Sequence, residues 1–340
     1  MLRSLFHLLG NSVALLAAFG LLARFVPPDV LWPPAIVALL LPGLLLATLL
    51  FTIIVLYQRR WKAAVVPVLV LLVSLPMVGR LFSLGTGSGA QAEANPRLVI
   101  GTVNARGFKN AAWKNVAEQQ VVDFLHKLDA EILLIQEAGA GAQRNNLIKK
   151  AGAFATYLQP QKRTVATYAD NLHEVAAKFE GYNGFTVADV KTSLGTIRFI
   201  NAHLQSNRIS KMAGEIGQEG SMQEGIDRAE SMFRNYGASA RTRAKQAAAI
   251  RQYINQSPHP VVVGGDFNDV PSSYTYQRVR TPRLRDAWTE QGFGLGTTFT
   301  GPLPGLRIDY LLVDTSLTVV SVNRLETGFS DHRALKIVVE

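Results

Sequence analysis

The sequence predicts an α/β protein: a globular domain of mixed sheets covered by helices, preceded by a helical membrane region. Three observations carry this. Three apolar runs occupy the first 84 residues. From residue 97 onward, strand-like and helix-like segments alternate, with several strands following one another as antiparallel neighbours do. Charge breaks between the two parts: residues 1–96 hold six Lys/Arg and two Asp/Glu, and residues 97–340 hold 29 and 23, a net of +6.

The apolar runs are residues 5–26, 30–57 and 63–84, with charge confined to Arg24 and Arg80 near run ends. Each is long enough to cross a hydrocarbon core of about 30 Å at a rise of about 1.5 Å per residue. Pro33, Pro34, Pro42, Pro67 and Pro76 are tolerated in such helices. A signal peptide is the alternative for the first run, but two further runs follow it without a small-residue cleavage site. Gln58-Arg59-Arg60-Trp61-Lys62 carries three positive charges and Pro27-Pro28-Asp29 one negative. The positive-inside rule therefore places residues 58–62 in the cytoplasm and everything after Leu84 on the outer side. Residues 85–96, GTGSGAQAEANP, read as a flexible linker with a mean reach of about 20 Å, which keeps the following domain near the bilayer. The expected division is 1–84 transmembrane helices, 85–96 linker, 97–340 globular domain.

In the globular part, residues 97–104, 131–137, 184–191, 196–203, 261–268, 306–313, 317–325 and 334–339 read as strands, and 113–128 and 225–256 as helices. Residues 207–224, with Gly214, Gly217 and Gly220, read as a loop. There is no cysteine, which excludes disulfides, thiolate zinc sites and thiol catalysis and leaves the redox compartment open.

Eight polar residues lie in or just after apolar strands: Asn104, Glu137, His203, Asp266, Asn268, Asp309, Asp331 and His332. Singly, each reads as a turn, a cap or a satisfied core residue. Brought to one sheet edge, the four carboxylates would repel and raise one another's pKa. A bound cation removes that conflict, and oxygen donors without thiolate select a hard ion, Mg²⁺ or Mn²⁺. Such an ion with nearby imidazoles suits attack of water on a phosphoester.

The motifs TVN (102–104), LLIQE (133–137), INAHLQS (200–206), GGDFND (264–269), RIDYLLV (307–313) and SDH (330–332), in this order, resemble the endonuclease/exonuclease/phosphatase superfamily. The stretch 265–276 is similar to one in membrane-bound bacterial members. The resemblance covers about residues 97–340 and implies a four-layer α/β sandwich with the site at one edge of two packed sheets. It implies that Glu137 is the principal metal ligand, helped by Asn104 and Asp331. His332 would be the general base, or would stabilise the pentacovalent phosphate, with Asp309 orienting it. Asp266 would position or deprotonate the water, Asn268 would donate to phosphoryl oxygens, and His203 would contact the scissile phosphate. One segment departs from the family pattern: in residues 163–185 the usual Ser and Pro are missing, and Tyr168 and His173 are candidates either for substrate contact or for plain surface positions.

Two basic clusters flank the GDFN motif: Arg228, Arg234, Arg241, Arg243, Lys245 and Arg251 on one helix, and Arg278, Arg280, Arg283 and Arg285 after it. They favour an anionic phosphoester substrate, nucleic acid or phospholipid, without choosing between them. Two other readings stand beside this one: a membrane-tethered binding module with idle carboxylates, and a small transporter with a globular accessory. The apolar runs lack the buried charged pairs that a transporter uses.

Overall fold

The computed structural model describes residues 2–85, 96–110, 112–139, 141–160, 164–207, 222–301 and 305–340. Most of the expected linker, and Gly214, Gly217 and Gly220, lie outside the described residues. The first part contains helices α1 (Leu2–Leu21), α2 (Pro33–Ala38), α3 (Leu41–Tyr57) and α4 (Trp61–Leu81). Two segments, Ser4–Arg24 and Trp61–Leu81, are long and apolar enough to cross a membrane, and α3 is an apolar helix of 17 residues.

The single run expected over 30–57 is instead two helices. Pro42 has no N–H to give the carbonyl four residues back, so α2 stops at Ala38, and proline is accommodated in the first turn of α3. Inside the bundle, Ala14, Ala17, Leu41, Leu45, Val70 and Met77 form a core. Gly10 lets α1 approach α3, since a Cβ there would collide with the Phe51 ring. The outward positions are apolar as well: Leu8 is 64% exposed, Leu72 56% and Val73 63%.

The globular part has two six-stranded sheets. The first has the order β11-β12-β1-β2-β4-β3 and the second β5-β6-β7-β8-β10-β9. The strands are β1 (Leu98–Asn104), β2 (Ile132–Gln136), β3 (Thr156–Leu158), β4 (Ala166–Ala169), β5 (Leu172–Glu180), β6 (Asn183–Thr192), β7 (Gly195–His203), β8 (Val261–Asp266), β9 (Leu284–Asp286), β10 (Asp309–Asp314), β11 (Val319–Leu325) and β12 (Ala334–Val339). Parallel and antiparallel pairs mix in both sheets.

Ile100, Leu134, Phe199, Val262, Leu311 and Ile337 fill the space between the sheets. Helices α5 (Glu118–Leu128) and α6 (Ala142–Ala151) cover the outer face of the first sheet through Phe124, Leu128 and Ile148. Helix α7 (Met222–Asn255) covers the second through Ala247, Ile250 and Ile254. This is the four-layer α/β sandwich. Short helices α8 (Tyr274–Val279) and α9 (Ala287–Gln291) complete the chain order.

The two parts touch directly. The end of α2 leaves carbonyls without helical partners, and the globular part supplies them. Tyr236 donates its hydroxyl to the Ala35 carbonyl at 2.9 Å, and Ser272 donates to Ala38 at 3.1 Å. Arg307 donates to the Arg80 carbonyl at 2.9 Å while holding buried Asp286 at 2.6 Å. Ala23 and Ala38 share an apolar cluster with Val270, Phe299 and Ile308.

Candidate active site

Strand register assembles the site. Across three adjacent strands His203 of β7, Asp266 of β8 and Asp309 of β10 are direct partners. In the other sheet Asn104 ends β1 opposite Gln136, one residue before Glu137. The sheets face each other, so the five strand ends meet. Gly265 permits a close approach of β8 to β7: at φ +127° it lies where a Cβ would run into the Ala202 carbonyl. Glu137 and Asn268 hold left-handed backbone at φ +50° and +52°, conformations that non-glycine residues keep mainly at functional sites.

Hydrogen bonds join the side chains. Asn104 Nδ2 donates to Asp266 Oδ2 at 3.0 Å and to Glu137 Oε1 at 3.3 Å. Asn268 donates its backbone N–H to Asp266 Oδ1 at 2.8 Å and Nδ2 to Oδ2 at 3.2 Å. His203 Nε2 lies 3.6 Å from Glu137 and 3.9 Å from Asp266. His332 Nδ1 is 2.9 Å from Asp309 Oδ2, and its Nε2 is 4.0 Å from Asp266. Thr298 fixes the start of β10 by accepting from the backbone N–H groups of Ile308 and Asp309, both at 3.1 Å. Phe299 meets the His332 ring edge-on, centroids 5.3 Å apart.

Seven of the eight expected residues thus form one connected group. Asp331 stands beside it: its carboxylate is 3.9 Å from Arg106, on the turn that follows Asn104. That turn is tied to the site, since Gly107 donates its N–H to the Glu137 carbonyl at 2.8 Å and Ser330 donates to the Asn104 carbonyl at 2.7 Å.

Burial, then the neighbouring Asp309 carboxylate, push the Asp266 pKa up to about 6, against the pull of His332, His203 and the Asn268 N–H. Burial opposes charge on His332, but Asp309 and Asp266 outweigh it and push the ring up to about 10. A charged imidazole held by a carboxylate is a proton and hydrogen-bond donor near neutral pH.

Among the described residues, Asp266, Asp309 and His332 bring ligand-type atoms within 4.8 Å of one another. This set differs from the expected metal set of Glu137, Asn104 and Asp331. An imidazolium clamped to Asp309 has no lone pair for a cation. Glu137, with 38% of its side chain exposed, is the carboxylate open to an incoming ion, and carboxylate oxygens suit a hard one. On donor chemistry the Glu137 side of the site fits a divalent cation.

Several expectations change. Tyr168 is neither a surface nor a substrate-facing residue: it is fully buried, and its hydroxyl donates to Asn145 at 2.8 Å. His173 keeps the surface position expected as its alternative, exposed on edge strand β5. Arg163 lies outside the described residues. Residues 113–117 precede α5 rather than belonging to it, and α7 starts at Met222, inside the expected loop. Arg243 is no part of a basic face. It is fully buried, bonded to Asp269 at 3.1 Å and to the Gln205 carbonyl at 3.0 Å, and paired with Asn207. Arg283 and Arg285 are paired with Asp314 and Glu290.

Residues beneath the site that were given no role in the sequence are Gln136, Asn201 and Asn207. Gln136 donates to Asn201 at 2.7 Å between the sheets, and Asn207 donates to the Asn268 carbonyl at 2.7 Å. Gln136 and Asn201 lie within quoted motifs; the signal was a polar side chain inside a strand otherwise buried on both faces.

Comparison with known proteins follows the same division of the chain. The model described as Endonuclease/Exonuclease/phosphatase family matches residues 101–332. A Domain of unknown function (DUF8431) matches residues 3–81. No curated protein matches. Among solved structures, D. rerio TDP2 complexed with single strand DNA product is similar at a TM-score of 0.51 and 14% identity, covering 72% of this chain and 100% of that one. A humanized D. rerio TDP2 with 14 mutations is similar at 0.50 and 14% identity, covering 72% and 99%.

Proposed function

Because this chain belongs to the endonuclease/exonuclease/phosphatase family, whose model matches more than half of it, we propose that it is a membrane-anchored hydrolase of phosphodiester or phosphomonoester bonds. The substrate class is an anionic phosphoester, in nucleic acid or in a lipid headgroup, and the cofactor Mg²⁺ or Mn²⁺. One observation carries the reading: His203, Asp266 and Asp309 stand in register across three strands, with His332 bonded to the last.

Glu137, with Asn104 and Asp331, would hold the cation. When bound, such an ion polarises a phosphoryl oxygen and offsets charge on the leaving oxygen. The remaining steps belong to this chain's own groups. Asp266, lifted toward neutrality, takes the proton of the attacking water. His332 was expected as the general base or as the stabiliser of the pentacovalent phosphate. Its raised pKa favours the second role, with Nε2–H donating to a phosphoryl oxygen and Asp309 holding Nδ1–H. Asn268 and His203 donate to the remaining oxygens.

Support for the anchor comes from the apolar exterior of α1, α3 and α4 and from the length and hydropathy of Ser4–Arg24 and Trp61–Leu81. We assign residues 1–84 to the membrane, 85–96 to the connection and 97–340 to catalysis. His7 and Arg60 lie 3.4 Å apart at one end of the bundle. The catalytic part contacts the other end, at Arg80, one helix of 21 residues away, about 30 Å. With the basic end in the cytoplasm, the catalytic part faces outward.

The test is hydrolysis of bis-p-nitrophenyl phosphate by the full chain in liposomes with Mg²⁺ or Mn²⁺. Turnover abolished by EDTA and by His332→Ala supports the reading; equal rates for wild type and His332→Ala reject it.

A further inference from the structure

Helix α7 runs for 34 residues, but only its second half is built into the sandwich. From Tyr236 onward it buries Tyr236, Ala240, Ala247, Ile250 and Ile254. Residues 223–235 are exposed or half-exposed throughout. Thirteen residues project about 20 Å at 1.5 Å each.

The projecting half is not polar all round. Ile226, Ala229, Phe233, Tyr236 and Ala240 fall on one helical stripe. The stripe's buried end is already an interface: Tyr236 and Ala240 pack on Ala35 of α2, with Trp32, Ile36 and Leu39 around them. Its open end continues the same face, with Ile226 53% and Phe233 49% exposed. Phe233 reaches the Trp32 ring, 6.3 Å between centroids, beside the exposed Val30 and Leu31. Across the same end of the bundle, Phe82 meets Phe293, which is 74% exposed on the catalytic part.

We propose that the first half of α7 is an interfacial helix, lying in the headgroup layer of the membrane that α1, α3 and α4 span. The occupant is inferred from continuity: the stripe runs on from the α2 contact at Tyr236 and Ala240 to Phe233, which meets Trp32 next to the exposed Val30 and Leu31. An apolar stripe with a polar opposite face is the pattern of a helix lying in the interface plane. Charge does not drive the docking. Residues 223–235 carry Glu224, Asp227 and Glu230 against Arg228 and Arg234, so insertion depends on apolar burial and proceeds on zwitterionic lipid. The consequence reaches the site, because Arg243 on the same helix holds Asp269 and Asn207, and Asn207 holds the Asn268 carbonyl.

The inference rests on the membrane-spanning reading above, and the experiment separates the two. The chain has no cysteine, so single cysteines can be labelled with an environment-sensitive fluorophore in the full chain, reconstituted in phosphatidylcholine liposomes. Phe233→Cys and Ala229→Cys probe the stripe, the latter retaining both large apolar side chains; Ser231→Cys probes the polar face and Leu72→Cys the bundle exterior. The expected result is blue-shifted emission at 229 and 233, quenched by a nitroxide near the headgroups. Position 231 stays unquenched, and 72 is quenched by a nitroxide near the bilayer centre. Loss of quenching at 229 and 233 with quenching kept at 72 overturns the interfacial helix alone. Loss at 72 overturns the spanning reading and this inference with it. Blue-shifted emission at 229 and 233 that disappears on diluting protein into lipid means a second copy covers the stripe, and also overturns it.

Discussion

Asp309 holds His332 by Nδ1 at 2.9 Å and thereby aims Nε2 at Asp266, 4.0 Å away. The partner that fixes the ring also keeps it charged. If His332 donates to the phosphate, His332→Ala lowers kcat by about 10²–10³-fold, the usual worth of one positioned donor to a developing oxyanion. Asp309→Asn, which keeps the shape and loses the charge, falls between that and wild type. Steady-state hydrolysis of bis-p-nitrophenyl phosphate measures both, and an Asp309→Asn rate equal to wild type would remove Asp309 from the machinery.

Glu137 can be tested without turnover. A ligand that binds only the folded state stabilises it by about 2.7 kcal/mol at a hundred times its Kd. Mg²⁺ or Mn²⁺ should therefore raise the Tm of the wild-type chain and shift that of Glu137→Gln much less. Equal shifts would move the metal away from Glu137.

Asp314 supplies a pH test remote from the site. Burial opposes its charge, but the Ser316 N–H, the Arg283 guanidinium, the Ser316 hydroxyl and the Val261 N–H together hold it below the usual carboxylate value. A depressed folded pKa contributes stability that is present above the unfolded value, about 3.9, and is lost as pH falls through the folded one. Asp314→Asn should lower Tm at neutral pH, with the gap to wild type closing as pH drops below about 4. A gap that stays constant with pH would show that shape, not charge, matters there.

The bonds from Tyr236 and Ser272 to the α2 carbonyls are testable singly. Removing one donor leaves a buried carbonyl unsatisfied, at a cost of about 1–3 kcal/mol. Tyr236→Phe and Ser272→Ala should each lower the thermal midpoint of the detergent-solubilised full chain. Midpoints equal to wild type would mean that water takes over these carbonyls.

Much of the site was legible because strands end where their apolar run ends. Asn104, Asp266 and Asp309 each close or open a β-branched segment, and period and polarity suffice to find them. Arg243 was not legible: its sequence neighbourhood is basic, and the partners that turn it inward, Asp269, Gln205 and Asn207, all lie 26 or more residues away. Tyr168 was misplaced for the same reason, since its partner Asn145 comes from a helix that sequence periodicity did not show. The broken second apolar run was available in Pro42, whose missing N–H outweighs an uninterrupted hydropathy signal. The long-range pairings of the second sheet, which bring His203, Asp266 and Asp309 abreast, have no local signature.

Proline at position 42 reaches further than the helix it interrupts. By ending α2 early it bares two peptide oxygens, and Tyr236 and Ser272 occupy them. On the membrane-anchored reading proposed above, these bonds would clamp the candidate site at one altitude above the lipid instead of leaving it to roam on a leash. A centre so mounted would select among target bonds by their height from the bilayer midplane, a criterion that chemistry within the pocket does not impose.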